Sequence, residues 1–147
     1  MIKRFFLAAA LLSCFVTAGC STLPQALTDP MGDTVRVTGS AFYRERIALP
    51  SGSEMHVIVE DISLADAPAQ ALAQQYIDLA DKNVPVSFEL DVPRRYLNDA
   101  VRTNLRIRLE SPNGELLFIT DTIRPVKPVE GSATVDMGSV MLVKVTR

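Results

Sequence analysis

One histidine, His56, is the first residue whose type could do chemistry. Alone it cannot build a usual zinc site, which takes several His or Cys ligands, and a carboxylate-only metal site would need a convergent acidic cluster. A Ser-His-Asp triad would have to use the same residue, yet no Gly-x-Ser-x-Gly stretch accompanies it. Between Met55 and Val57, on the outer face of a strand, it reads as a surface residue. Glu60 and Asp61 are adjacent acids, but consecutive strand residues point to opposite faces, so this pair cannot flank one glycosidic bond. Asp66 suits a cap or turn. Seven glycines stand singly and form no phosphate-cradling loop. No catalytic centre, metal or cofactor is marked, so the expectation is a protein that is not an enzyme.

The arginines offer more. Beyond residue 20 there are ten Arg against three Lys, and Arg94, Arg95, Arg102, Arg106 and Arg108 crowd into one short stretch. Arg suits bidentate recognition of carboxylate or phosphate. If Leu105 and Ile107 face inward, Arg102, Asn104, Arg106 and Arg108 share the outward face. That row could dock an acidic tail, a lipid headgroup or an anionic glycan. The plainer reading is a solvated strand face whose charges discourage edge-to-edge pairing.

Those residues must be positioned by strands. The chain has 147 residues, enough for about one domain, with 22% charged and 48% apolar residues, which fits a folded globule. A net charge of −2 argues against a nucleic-acid binder. From Thr34 the period is two: Val35, Val37, Gly39, Ala41 and Tyr43 alternate with polar or mixed neighbours. Pro50-Ser51-Gly52-Ser53 is a turn cluster. Met55, Val57 and Val59 alternate next, then Val86, Phe88 and Leu90, then Leu105, Ile107 and Leu109. Pro112-Asn113-Gly114 is a hairpin signal, with Glu115 to Thr120 as the returning strand. A last strand is expected from Val140 to Val145. Phe42 and Tyr43 point to opposite faces, so one of them is a candidate contact residue.

The front of the chain carries an address. Lys3 and Arg4 precede an apolar stretch, Phe5 to Val16, too short for a membrane span of roughly 20 residues but the length of a signal-peptide core. Thr17-Ala18-Gly19-Cys20 resembles the lipobox of bacterial lipoproteins, with Thr17 where Leu is usual. The resemblance implies cleavage between Gly19 and Cys20, acylation of the Cys20 thiol, and Ser21 as an outer-membrane sorting residue in the Gram-negative envelope. Cys14 would leave with the signal, so no free thiol would remain. Losing Lys3 and Arg4 would move the net charge of −2 two units further negative. Residues 1–19 are thus read as a removed signal and 20–33 as a lipidated tether, leaving a domain over 34–147.

Four blocks carry a second resemblance: Tyr43-Arg44-Glu45-Arg46-Ile47-Ala48-Leu49-Pro50, Val59-Glu60-Asp61-Ile62-Ser63-Leu64-Ala65-Asp66-Ala67-Pro68, Val84-Pro85-Val86-Ser87-Phe88-Glu89-Leu90 and Gly114-Glu115-Leu116-Leu117-Phe118-Ile119-Thr120-Asp121-Thr122. Together they resemble the YbaY/YscW lipoprotein family of pilotin-like outer-membrane lipoproteins. The resemblance implies a small β-sandwich at the outer membrane and carries no catalytic residues. Some members of that family are pilots that bind the tail of a secretin subunit; others are envelope lipoproteins without a settled role.

Residues 69–80 admit two readings. Asp66, Pro68 and the run AQALAQQYIDLA have helix-forming propensity, with Leu72 and Tyr76 four apart. A strand puts Ala71, Ala73, Gln75, Ile77 and Leu79 on one face, fits the spacing of its neighbours, and is what the family has. The strand is taken. The fold expected is all-β, an antiparallel sandwich of about seven strands. Two functions follow: a non-catalytic pilot or chaperone for an outer-membrane assembly, facing the periplasm, or a structural envelope lipoprotein touching lipopolysaccharide or cell-wall glycan through the arginines. Its partners would be the membrane, through the lipid, and a protein tail or glycan, with no nucleic acid.

Overall fold

A computed structural model describes residues 33–80 and 82–146. The signal segment, Gly19, Cys20, Ser21 and the tether before Asp33 lie outside the described residues.

Among the described residues eight strands make two facing sheets, with one short helix beside them. The three-stranded sheet has the order β4-β1-β7, from β1 (Thr34–Phe42), β4 (Val86–Pro93) and β7 (Thr134–Met141). The five-stranded sheet has the order β3-β2-β5-β6-β8. Its strands are β2 (Glu54–Asp61), β3 (Gln70–Asp78), β5 (Thr103–Glu110), β6 (Leu116–Ile119) and β8 (Val143–Lys144). Every pairing is antiparallel except β1 with β7.

The alternating side chains meet between the sheets. Val35, Val37 and Ala41 of β1 face Met55, Val57 and Val59 of β2 across a core completed by Phe88, Leu105, Ile107 and Phe118, all buried. Burying side chains of this size is worth roughly 1.5–3 kcal/mol each, which outweighs helix propensity in a short segment. That is why residues 70–78 are a strand: β3 pairs along β2 from Glu54↔Asp78 to Asp61↔Gln70, putting Ala73, Gln75 and Ile77 opposite Val59, Val57 and Met55.

Gly39 shows the tightness of the packing. A Cβ there would lie 2.7 Å from the Phe88 ring and 2.9 Å from the Gly138 carbonyl, so the inward position is left to the ring. The hairpin after β5 forms at its expected residues, with the Gly114 amide donating to Ser111 O at 2.9 Å and Gly114 at a φ of 76°.

The chain departs from the simple alternating plan in two places. Arg94–Asp99 forms a short helix, α1, that buries Leu97 against the sheets; one turn is too short to show helical periodicity. The last strand begins at Thr134, earlier than Val140, and divides after Met141, so that β7 joins one sheet and β8 the other. Its first half has polar residues on both sides of Val135 and Met137, which hides the alternation.

Two ends can be named from this topology. β1 starts, β2 and β4 finish, and β3, β5 and β7 start at one end, where the chain enters through Asp33; this is the proximal end. The turns at 43–53, 79–85 and 111–115 form the distal end.

Candidate functional site

Three surfaces carry the residues of interest. The first is the outer face of the five-stranded sheet. With Leu105, Ile107 and Leu109 buried, Arg106 and Arg108 point outward. They stand beside Ile58 and His56 of β2, and His56 stands beside Tyr76 of β3. The His56 ring meets Tyr76 edge-on at 3.8 Å between centroids, and its Nε2 lies 3.8 Å from the Glu54 carboxylate.

Each arginine of this row has an acid. Arg106 Nη2 lies 2.9 Å from Glu60 Oε1, and Arg108 Nη2 lies 2.7 Å from Glu110 Oε1. Glu60 is buried and also accepts from Asn104 Nδ2 at 2.9 Å. A buried carboxylate needs such partners, because removing it from water costs several kcal/mol unless charge and hydrogen bonds replace the solvent. The five candidate arginines do not form one face. Arg94 and Arg95 sit on α1, where Arg94 pairs with Asp33 and donates to Ser132 O at 2.6 Å. Arg95 lies 4.8 Å over the Tyr96 ring. Arg102 is exposed just before β5.

The second surface is the free edge of β3 and the groove beside it. By strand order the edge strands among the described residues are β3, β8, β4 and β7. β8 is two residues long. β7 is broken by a register shift opposite Thr38 to Ser40, with Gly138 at a φ of 62°. β4 carries Glu89 and Asp91, both within 3.1 Å of Arg36, and ends in Pro93. Short strands, bulges, charges and proline are the ways an edge is protected from added strands. β3 carries no proline and no charge from Gln70 to Ile77, its nine residues hold one charge, Asp78, and its one irregularity is a bulge at Leu72, where the pair Val59↔Ala73 is followed by Glu60↔Ala71.

Between the β3 and β4 edges runs a groove of about 550 Å³, lined among others by Gln75, Ile77, Phe88, Glu89 and Lys82. A smaller hollow of about 280 Å³, lined by Tyr43, Ile47, Leu49 and Leu79, shares Lys82 with it. Gln75 Oε1 is buried in the groove wall without a hydrogen-bond partner, one of three such atoms with Glu45 Oε2 and Arg108 Nε among the described residues. An unsatisfied buried acceptor costs about 1–3 kcal/mol. The sequence marked Gln75 only as an inward strand residue. A charge-free run from Ala67 to Ile77 was the available signal, but the order of the strands, which makes β3 an edge, is not encoded in spacing.

The third is a polar knot at the proximal end. Ser63 Oγ accepts the Val101 and Arg102 amides at 2.9 and 3.0 Å and donates to Asp61 Oδ1. Thr103 Oγ1 donates to Val126 O at 2.7 Å and accepts the Val126 amide at 3.1 Å. The Asp61-Ile62-Ser63 part of the second sequence block is therefore a staple between loops. Of the two residues at the β1 end, Phe42 is half-buried and Tyr43 stacks on Phe118 with 4.3 Å between centroids. Burial, and then the nearby Glu45 carboxylate, push the Tyr43 hydroxyl above its ordinary pKa. Among the described residues no three His, Cys, Asp or Glu side chains gather as a metal would need, and no helix is long and apolar enough to cross a membrane.

Comparison with known proteins gives this fold a family. The chain is 37% identical over 110 residues to the uncharacterized lipoprotein YbaY of Escherichia coli K12, covering 72% of the chain and 55% of YbaY. It thus spans about half the length of that curated relative. Among solved structures, an alternative pilotin from the type II secretion system of Vibrio cholerae superposes with a TM-score of 0.65 at 37% identity. That match covers 78% of this chain and 99% of the pilotin. The family model for the type III secretion system lipoprotein chaperone YscW matches residues 32–138, and the chain belongs to that family.

Proposed function

We propose that this lipoprotein is a membrane-anchored, periplasm-facing and non-catalytic binding module that pilots a subunit of an outer-membrane assembly such as a secretin. The observation that carries this reading is the β3 edge: nine residues long, nearly uncharged, and bordered by a groove whose Gln75 Oε1 lacks a donor. An extended tail laid along such an edge gains main-chain hydrogen bonds, and its alternate side chains reach the groove, which supplies affinity and specificity together. The pilotin and chaperone relatives support the same class of role. Cys20 would hold the protein on the membrane through more than one acyl chain, since a single chain gives only reversible binding. Ser21 would direct it to the outer membrane.

The test is binding of a synthetic peptide from the C-terminal tail of the secretin in the same genome, read by titration calorimetry. Saturable binding is expected, weakened about tenfold or more when Gln74→Lys and Tyr76→Lys guard the edge. Unchanged binding by the guarded variant would remove the edge from the account. In cells, a Cys20→Ala form should leave the secretin out of the outer membrane; normal assembly with that form would overturn the escort role. The arginine row gives less support to a glycan-binding envelope role, because Glu60 and Glu110 already neutralise Arg106 and Arg108.

A further inference from the structure

The two ends of the sandwich expose different side chains. Toward the distal end Ile47 is 44% exposed and Tyr76, near the end of β3, is 56% exposed with its ring against His56, while Ile123 in the loop after β6 is 56% exposed. At the proximal end Leu64, Val101 and Val129 are 73%, 84% and 72% exposed, and Tyr96 is 39% exposed. Apolar tips of this kind gain nothing from water, and the core gains nothing from them.

They are also held in place. Ser63 Oγ accepts the Val101 amide, so Leu64 and Val101 hang from one polar knot. The Ala100 amide donates to Tyr96 O at 3.2 Å, which fixes the end of α1 to the same loop. Arg94 grips Ser132 O, and the Ser132 amide donates to Val129 O at 2.9 Å, which sets the third tip. The proximal segments carry both signs of charge, with Arg95, Arg102 and Lys127 against Asp66, Asp99 and Glu130. Steering by charge is therefore not what this end offers.

The position of the chain entry says what covers it. The polypeptide joins the domain at Asp33, beside Arg94 and Ser132, among these same tips. Twelve residues separate Asp33 from Cys20, so the thirteen steps between them span at most about 45 Å of fully extended chain. We infer that the proximal end lies on the lipid surface, with Leu64, Val101 and Val129 in the boundary between headgroups and acyl chains and Tyr96 at its rim. Aliphatic and tyrosine side chains on a shallowly buried surface suit that boundary. This inference rests on the Cys20 anchor proposed above. It adds an orientation: β3 starts near the membrane at Gln70 and ends away from it at Asp78, so the groove stands upright with its Lys82 end toward the periplasm.

The protein contains no tryptophan, so single Trp probes report without background. The lipidated full chain is reconstituted into phosphatidylethanolamine–phosphatidylglycerol vesicles doped with brominated lipid. Leu64→Trp, Val101→Trp and Asn113→Trp are then compared, with flotation run in parallel. Quenching of about threefold is expected at 64 and 101, unchanged at high salt, and none at 113. Floating protein with all three probes unquenched would overturn the contact while leaving the anchor standing. Protein that does not float would remove the anchor and the contact together. Probes at 64 and 101 that shift only on adding the secretin tail peptide would give this end to the protein partner instead, and overturn the lipid contact.

Discussion

The proximal and distal ends of this sandwich are built on opposite plans. At the distal end the closure is apolar: Tyr43 stacks on Phe118, with Leu49 and Leu79 packed nearby. At the proximal end the closure is polar, through Ser63, Thr103, Asn104 and Glu60, and the apolar residues point out. A domain that only had to fold would bury its apolar residues at both ends. The difference teaches that hydrogen bonds can close the proximal end while Leu64, Val101 and Val129 stay exposed, which is the arrangement the inferred lipid contact requires.

Substitutions can break that contrast. Phe118 is fully buried and anchors the distal closure, so Phe118→Ala should cost about 3–5 kcal/mol in urea unfolding, through lost transfer energy and the cavity left behind. A loss below 1 kcal/mol would mean the distal end is not closed by packing. Ser63→Ala removes the acceptor of two loop amides and should cost about 1–2 kcal/mol, with faster amide exchange at Val101 and Arg102. Unchanged exchange there would mean that the knot does not hold the tips.

A smaller effect separates the ends by pH. Tyr43 donates to Ile47 O at 3.1 Å, and its hydroxyl is held above the ordinary value of 10.0 by burial and then by Glu45. The fold therefore prefers the neutral phenol. That stabilisation is complete below pH 10 and is lost as pH rises toward the folded value. Tyr43→Phe should cost about 0.5–1.5 kcal/mol at neutral pH and flatten the alkaline decline. An unchanged alkaline slope would assign that decline to other groups. The smallest change is expected from Leu64→Ser with Val101→Ser, within about 0.5 kcal/mol, because neither side chain is packed. A clear loss of stability would show the tips to be structural.

Much of the fold was legible because the period-two signal follows directly from one-sided burial. Leu105, Ile107 and Leu109 showed it cleanly, as did Val35 and Val37, and the Pro112-Asn113-Gly114 turn fell where expected. β3 was legible only as a choice, since Gln and Ala favour helix locally while β2 offers a partner. α1 and the first half of β7 escaped, one for being a single turn and the other for polarity on both faces. The outward parity of Arg106 and Arg108 could be read, but not the register that brings Glu60 and Glu110 to them. The β3 edge left only a charge-free run from Ala67 to Ile77 as its signal, and the four proximal tips left none. Edge status depends on strand order, and Leu64, Val101 and Val129 come to one end of the sandwich only through the fold of three separate loops.

The most direct test of the binding role is site-specific photo-cross-linking in living cells that carry a secretin. A benzophenone side chain is placed at Gln75 in the β3 groove, and a second at Asn113 on the distal turn as reference. The account predicts a discrete adduct with the secretin subunit from position 75 and none from 113. Adducts from 113 alone, or none from either position while the secretin assembles normally, would contradict it.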